Sequence, residues 1–545
     1  MRFLVLSVMC LSLFSTSVLA ADSEKPRNIV FVLMDDLRFD GLGFLQKEVQ
    51  TPNLDSIAAQ GTYFPNAVVT SSLCSPSRAT ILTGMTARNH GIVDNNNSTE
   101  KGLTFFPKYL QDAGYQTGFF GKWHMGDHHD GPRQGFDKWV SFAGQGAYYP
   151  TDAIAPHLLA KGVVNQLNVD GQHVDQKGYI TDELTDYAMH WLDAERDPNK
   201  PFFLYLSHKA VHSDAKPAPR HKDQYANTNF TLPASSVPTE ERRKNKPMWV
   251  QNQRNSWHGI DFFYASDRKM TDYLRDYYGA LSAVDDSVGR IVAWLKETNQ
   301  LDNTVLVFYS DNGFLVGDHG LIDKRNAYEG SVKVPLLVYS PGLIPAGDTN
   351  PAVVRNLDLA PTFLDIAGVA APEQFEGVSV LPVATRAVDP ETWDAPDFVY
   401  EYFWEYNFGM TPTTFAIRRG DYKYIQYHGV WDIEELYNVT DDPEEQKNLF
   451  FDREYKPLVQ ELREALAKQL LNKKGERVVP YNARLSDGMN LRDAKGPAAA
   501  TFPDEWKTVP NRKDMYMGLF PDTPMKLEKQ DKGEPYWPYM ERMEH

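Results

Sequence analysis

Four short apolar runs, each breaking at once into polar or charged residues, constrain the fold of this chain more than anything else in it. Residues 29–34 run into Asp35-Asp36, 117–120 into Gly121-Lys122-Trp123-His124, 202–206 into Ser207-His208, and 304–309 into Ser310-Asp311-Asn312-Gly313. Runs this short, with no polar alternation, read as strands buried on both faces of a mostly parallel sheet. Helical spacing lies between them. Leu184, Tyr187, Ala188, Trp191 and Leu192 recur after Thr181-Asp182, and Leu281, Val284, Val288, Ile291 and Leu295 recur in the same way. Alternating strands and helices predict an α/β layer fold. Ligands of such folds bind beyond the carboxyl ends of the strands, so the chemistry is expected along one edge of the sheet.

The 545 residues exceed what one compact core holds, and the chain changes character after the short helix predicted at 359–367. Residues 398–404, 414–418 and 422–427 read as strands, the last two joined at Arg419-Gly420-Asp421, and a charged helix follows at about 454–471. From about 496 onward, Pro503, Pro510, Pro521, Pro524, Pro535 and Pro538 interleave with Trp506, Tyr516, Phe520, Tyr536, Trp537 and Tyr539. Such aromatic content suits an extended arm laid over the main domain. The expected organisation is a leader at 1–20, an α/β catalytic domain at 21–385, a smaller antiparallel α+β domain at 386–495 and the arm at 496–545.

The leader carries one basic residue, Arg2, then an apolar core and small residues ending at Ala20-Ala21. That pattern is a secretory signal and not a membrane span, so a soluble exported product is expected, periplasmic or secreted. Of the two cysteines, Cys10 lies in the leader and Cys74 in the mature chain, where a lone thiol cannot be half of an internal disulfide. With the leader removed, 55 basic residues face 73 acidic ones, a net −18. Such a chain repels polyanions on average, so any anion site must be locally basic, and nucleic acid is not an expected partner. Phe, Trp and Tyr make up 12% of the chain, which suits a glycan-handling surface and ordinary core packing equally.

Cys74 stands in Ser72-Leu73-Cys74-Ser75-Pro76-Ser77-Arg78. Ser75 before Pro76 reads as a cap and first helical position, which places Cys74 just ahead of a helix amino end, where free backbone amides favour an anion. Asp35-Asp36 and Asp311-Asn312, at two strand ends, supply hard oxygen ligands with no His or Cys among them. That set suits Ca²⁺ first and Mg²⁺ second. A thiolate beside such an ion would be mismatched in softness, which hints that residue 74 works in another chemical form.

Cys74-x-Pro76-x-Arg78, continued as Ala79-Thr80-Ile81-Leu82-Thr83-Gly84, resembles the signature of the type I, formylglycine-dependent sulfatases. The resemblance runs through Asp35-Asp36, Thr51-Pro52-Asn53-Leu54-Asp55, Gly121-Lys122-Trp123-His124, Asp311-Asn312-Gly313, Gly317-Asp318-His319-Gly320 and Lys324-Arg325 to Tyr328-Glu329-Gly330-Ser331. It covers nearly all of residues 27–370. It implies an alkaline-phosphatase-like α/β fold, a mixed and mostly parallel sheet between helices, with a small carboxyl-terminal domain. It also implies a separate maturation enzyme that oxidises the cysteine to formylglycine.

Carried over by motif, the resemblance makes Asp35, Asp36, Asp311, Asn312 and an oxygen of modified residue 74 the Ca²⁺ ligands. Arg78 and Lys122 hold that residue and the sulfate, while Asp311 assists deprotonation of an attacking hydroxyl of the hydrated aldehyde. His212, with Lys324, is the candidate donor of a proton to the leaving alcohol. His124 takes the proton from the second hydroxyl, and sulfate is then expelled. His208 rivals His212, because the family's usual proline is missing from His208-Lys209-Ala210-Val211-His212. His128, His129 and Asp130 read as a solvated loop.

Arg88-Asn89-His90-Gly91-Ile92-Val93, Tyr402-Phe403-Trp404-Glu405 and 411–416 resemble the N-acetylglucosamine-6-sulfatase-like and arylsulfatase-like branch. The implied substrate is a sulfated oligo- or polysaccharide, with Trp404, Arg419 and His428 as possible sugar contacts or packing residues. Two alternatives stay open: a phosphate or phosphonate ester hydrolase of the same superfamily, and a non-catalytic Ca²⁺-dependent glycan-binding protein.

Overall fold

All seven residues of the strand Asn28–Met34 are buried, and this strand lies near the middle of a ten-stranded sheet. In the computed structural model it pairs in parallel with Phe202–Ser207 on one side and Thr304–Ser310 on the other, so that Val32 faces both Leu206 and Phe308. Gln116–Lys122 and Lys138–Phe142 continue the parallel order. Antiparallel pairing enters on both sides, at Leu337–Tyr339 on one, beyond which Thr62–Tyr63 and Asp348–Thr349 form the outermost, parallel pair, and at Gln166–Val169 with Gln172–Asp175 on the other. The description covers residues 26–471 except 96–101, 126–129, 155–163, 214, 237–244, 256–257, 260–267, 395, 406–407 and 430–431. The expected leader and arm lie outside the described residues.

The two faces of the central strand explain its unbroken apolar run. Val30, Val32 and Met34 pack with Tyr277, Leu281, Val284, Val288 and Ile291 of the 28-residue helix Met270–Glu297. Ile29, Phe31 and Leu33 pack on the opposite face with Ala79, Ile81, Leu359 and Phe363. At about 1.5–3 kcal/mol for each fully buried large apolar side chain, this double burial is what holds the strand ends in place. Gly121 (φ +124°) lies so close to the neighbouring strand that a Cβ there would sit 1.7 Å from the Ser207 carbonyl oxygen. Only glycine lets these two strand ends meet.

The smaller unit is a four-stranded antiparallel sheet of Phe398–Tyr402, Thr413–Arg419, Tyr422–His428 and Glu435–Asn438. The fourth strand has no counterpart in the sequence expectation, because four residues carry too short a pattern. The predicted charged helix is Lys456–Leu470, whose Leu462, Leu466 and Leu470 cover Phe415, Ile417 and Leu436. The other face of this sheet presents Tyr400, Tyr402, Ala416 and Ile425 to Leu73, Leu315, Tyr328 and Val332. The small sheet therefore backs the chain segments on either side of the predicted catalytic edge.

Buried charge joins the two units. Lys423 is fully enclosed; its ammonium donates to the Ala327 carbonyl at 2.6 Å and to Glu329 at 2.7 Å, and lies 2.7 Å from Glu445. Lys423→Met is expected to destabilise the protein by about 3–5 kcal/mol, since it strips two buried carboxylates of their main counterion. Denaturant unfolding measures the loss; a change under about 1 kcal/mol would refute the account.

Candidate active site

The carboxylates of the site and Lys122 are delivered by the ends of strands, and Arg78 by a helix. Asp35 and Asp36 follow the central strand, Asp311 and Asn312 follow Thr304–Ser310, and Lys122 ends its own strand with His124 two residues on. The segment after Phe202–Ser207 is clamped to the central strand, with Asp35 N donating to Ala210 O at 3.0 Å and Val211 N to Asp35 O at 2.8 Å. This clamp brings His212 Nε2 to 3.8 Å from Asp36 Oδ2. His208 turns the other way, its Nε2 lying 3.4 Å from Ser287 Oγ on the long helix. Of the two rival histidines, His212 is thus the one beside the carboxylates.

Cys74 is the first residue of the helix Cys74–Thr83, with Leu73 in the extended cap position, which corrects the expectation that Ser75 caps and Cys74 precedes the helix. The reason is a tertiary contact: the Ser75 hydroxyl donates to the His124 carbonyl and its oxygen faces His124 Nδ1, where a capping serine would instead accept from a backbone amide of its own helix. All ten residues of this helix are buried. The Cys74 thiol lies 3.5 Å from Asp35 Oδ1 and accepts from Lys324 Nζ at 3.2 Å. Burial pushes this thiol up to about 12 against the pull of Lys122 and Lys324. A thiol held protonated at neutral pH is a poor nucleophile.

Arg78, one turn along, donates from Nε to Asp311 Oδ2 at 2.8 Å and from Nη1 to Lys122 O and Ser207 Oγ, each at 2.7 Å. Lys122 pairs with Asp35, and Lys324 with Asp36. Burial opposes the charge on Asp35, but Lys122, His212, Arg78 and Lys324 outweigh it and hold the carboxyl well below its usual range. Asp36 and Asp311 go the other way. Burial raises both, Asp311 to about 7, with repulsion from Asp35 adding to it. Burial also pushes His124 and His212 well below the ordinary imidazole value, against the pull of the Asp35 carboxylate.

The donor set fits a hard divalent cation. One oxygen from each of Asp35, Asp36 and Asp311 lies within 4.8 Å of the others, all three residues being buried. Among the described residues, Asp36 Oδ2 and Asn312 Oδ1 are buried with no hydrogen-bond partner, and buried polar oxygens of native proteins are rarely left so. Asp36, at φ +63°, and His124, at φ +51°, are non-glycine residues in the left-handed region. Such conformations cluster where a site overrides local preference.

Residues 27–369 match the Sulfatase family, and 317–472 match the N-sulphoglucosamine sulphohydrolase C-terminal family. The chain belongs to the sulfatase family. An N-acetylglucosamine-6-O-sulfatase of Bacteroides thetaiotaomicron is 34% identical over 85% of this chain and 89% of its own length. The human N-acetylglucosamine-6-sulfatase is 33% identical over 72% of this chain and 69% of its own. A solved structure in complex with its substrate D-glucosamine-2-N,6-O-disulfate superposes with a TM-score of 0.71 at 32% identity, covering 82% of this chain and 97% of that one. This sulfatase is therefore a sulfuric ester hydrolase on an alkaline-phosphatase-like fold.

The sulfatase brings Cys74, Arg78, Lys122, His124, Lys324, His212, Asp35, Asp36, Asp311 and Asn312 to one edge of its sheet. Trp404, Arg419 and His428 are instead engaged within the small unit: the indole of Trp404 donates to Gly409 O, Arg419 pairs with Asp397 and Glu461, and His428 packs on Phe415. Sequence reasoning missed Gln145, whose amide contacts both Lys122 and His124. It also missed Ser207 as a partner of Arg78. The signal for Gln145 was its place between two glycines. No helix among the described residues is long and apolar enough to cross a membrane.

Proposed function

We propose that this sulfatase removes sulfate from sulfated glucosamine units of a glycosaminoglycan or related glycan, with 6-O-sulfated N-acetylglucosamine or a related sugar as the best-fitting unit. The observation that carries the reading is Cys74 at the start of a buried helix, between Lys324 and the Asp35 carboxylate, in a setting where an unmodified thiol would be inert. The relatives named above supply the substrate class.

Formylglycine made from Cys74 by a maturation enzyme supplies, as its hydrate, a pair of hydroxyls, one to attack sulfur and the other to let sulfate leave. Ca²⁺, or Mg²⁺ as second choice, would be held by Asp35, Asp36, Asp311, Asn312 and an oxygen of residue 74, where it would supply positive charge to offset that of the sulfuryl group. Arg78, Lys122 and Lys324 add cationic donors that orient residue 74 and the sulfate; positioned charge of this kind is the largest contribution in such reactions. Asp311 receives a proton from the attacking hydroxyl. His212, assisted by Lys324, protonates the leaving alcohol, and His124 takes up the proton released as sulfate departs. The protein is exported after loss of residues 1–20.

One preparation from the natural host tests the reading. Its mass spectrum is expected to give an amino terminus at Ala21 and an aldehyde-bearing peptide at residue 74. The same sample is expected to desulfate glucosamine 6-sulfate in preference to hydrolysing an aryl phosphate. An intact thiol at residue 74, or a preference for the phosphate ester, would overturn it.

A further inference from the structure

Gln145 stands in a turn after the strand Lys138–Phe142, flanked by Gly144 (φ +55°) and Gly146 (φ +65°). A Cβ on Gly146 would lie 2.4 Å from the Phe142 ring, so glycine is required for the turn that carries the amide back over the strand end. The amide makes two contacts in the site: its Oε1 lies 2.5 Å from Lys122 Nζ, and its Nε2 lies 3.1 Å from His124 Nε2.

The protons on these atoms follow from hydrogen-bond valence. An ammonium only donates, so Lys122 requires the amide oxygen of Gln145 on its side. The amide nitrogen, which also only donates, must then point at His124 Nε2, and that ring nitrogen must carry a lone pair. The opposite edge of the ring agrees. The Ser75 hydroxyl spends its hydrogen on the His124 carbonyl, so its oxygen is left to accept from His124 Nδ1, 3.5 Å away.

We propose that Gln145 is a positioning residue of the reaction which, with Ser75, locks His124 as the neutral tautomer protonated on Nδ1 and so makes Nε2 the nitrogen that receives the proton. The single lone pair of Nε2 is held by the Gln145 N–H, so the ring takes up a proton there only as that hydrogen bond gives way. Once the ring takes a proton there, the Gln145 N–H faces another N–H, and the proton passes on to water instead of resting on the ring. The contact thus both selects the basic nitrogen and favours its recovery after each turnover. The inference rests on His124 being the base.

The test reads the tautomer apart from turnover. In the formylglycine-bearing full chain labelled with ¹⁵N-histidine, the His124 signals, assigned by their loss in His124→Gln, are expected to show an unprotonated Nε2 and a protonated Nδ1. Gln145→Glu replaces the donor with an acceptor and is expected to move the proton to Nε2. It should lower kcat about 100-fold with KM changed less than about 2-fold, within the range of a lost base. Gln145→Leu removes the contact and is expected to mix the tautomers, with a loss in kcat of about 10-fold. A native ring protonated on Nε2, or an unchanged tautomer in both variants, would overturn the inference. Full turnover by His124→Ala, with the native tautomer as stated, would instead overturn the base role of His124.

Discussion

Cys74→Ala is expected to lower the rate of sulfate-ester hydrolysis by about 10⁴-fold or more while the protein still folds, the scale seen when a covalent nucleophile is deleted. The two halves of this expectation have separate physical causes. Catalysis is lost because no neighbouring group replaces residue 74: the adjacent Ser75 hydroxyl is committed to the His124 carbonyl, and the surrounding side chains are cations, carboxylates and imidazoles. Folding survives because the substitution deletes a single sulfur from a buried helix start, costing about 1 kcal/mol, and Lys324 keeps Asp36 as its counterion. Initial rates on an aryl sulfate and a thermal melt, compared with the parent protein, read the two halves. Residual activity above about 1% of the parent would show that the hydrolysis does not run through residue 74.

The parts of this site that were legible in the sequence are those where burial and chemistry meet at a strand end. Asp35-Asp36 and Asp311-Asn312 follow runs so apolar that only a sheet core accommodates them, and the point where the run stops is the point where the strand reaches the edge. The order of strands was not legible, because the pairing of Asn28–Met34 with both Phe202–Ser207 and Thr304–Ser310 joins segments well over a hundred residues apart. Short elements such as Leu337–Tyr339 and Glu435–Asn438 carry too few residues for a period. The start of the Cys74 helix was misplaced because local cap chemistry favours serine, whereas the tertiary contact to His124 claims that hydroxyl. The choice between His208 and His212 needed the clamp of the intervening segment onto Asp35. Gln145 was hidden for a related reason. An amide in a glycine-rich turn is common, and its partners Lys122 and His124 lie on another strand end.

Chelation is the second large effect expected. Exhaustive removal of divalent cations should reduce hydrolysis to background and lower the unfolding midpoint by several degrees. Ca²⁺ should restore both and Mg²⁺ should do so less fully, because the crowded oxygen set suits the larger ion. A ligand present at a thousandfold its dissociation constant contributes about 4 kcal/mol to folding. The metal-free protein should also acquire a characteristic pH dependence. Burial, with Asp35 adding repulsion, raises Asp36 and brings Asp311 to about 7 in the fold, above the carboxylate value of 3.8 in the unfolded chain. A folded state that binds protons more tightly than the unfolded one has that stabilisation in full below the unfolded value, and loses it as pH rises through the folded value. Relative to the Ca²⁺-loaded protein, whose carboxylates are held ionised by the cation, the chelated protein should therefore lose stability as pH rises from the unfolded carboxylate value of 3.8 to about 7, while the depressed His124 and His212 act on both forms alike and cancel in the comparison. Melts across this range with and without chelator measure the difference. Superimposable curves would mean that the three buried carboxylates do not hold a cation, and that Asp36 Oδ2 and Asn312 Oδ1 are satisfied in some other way.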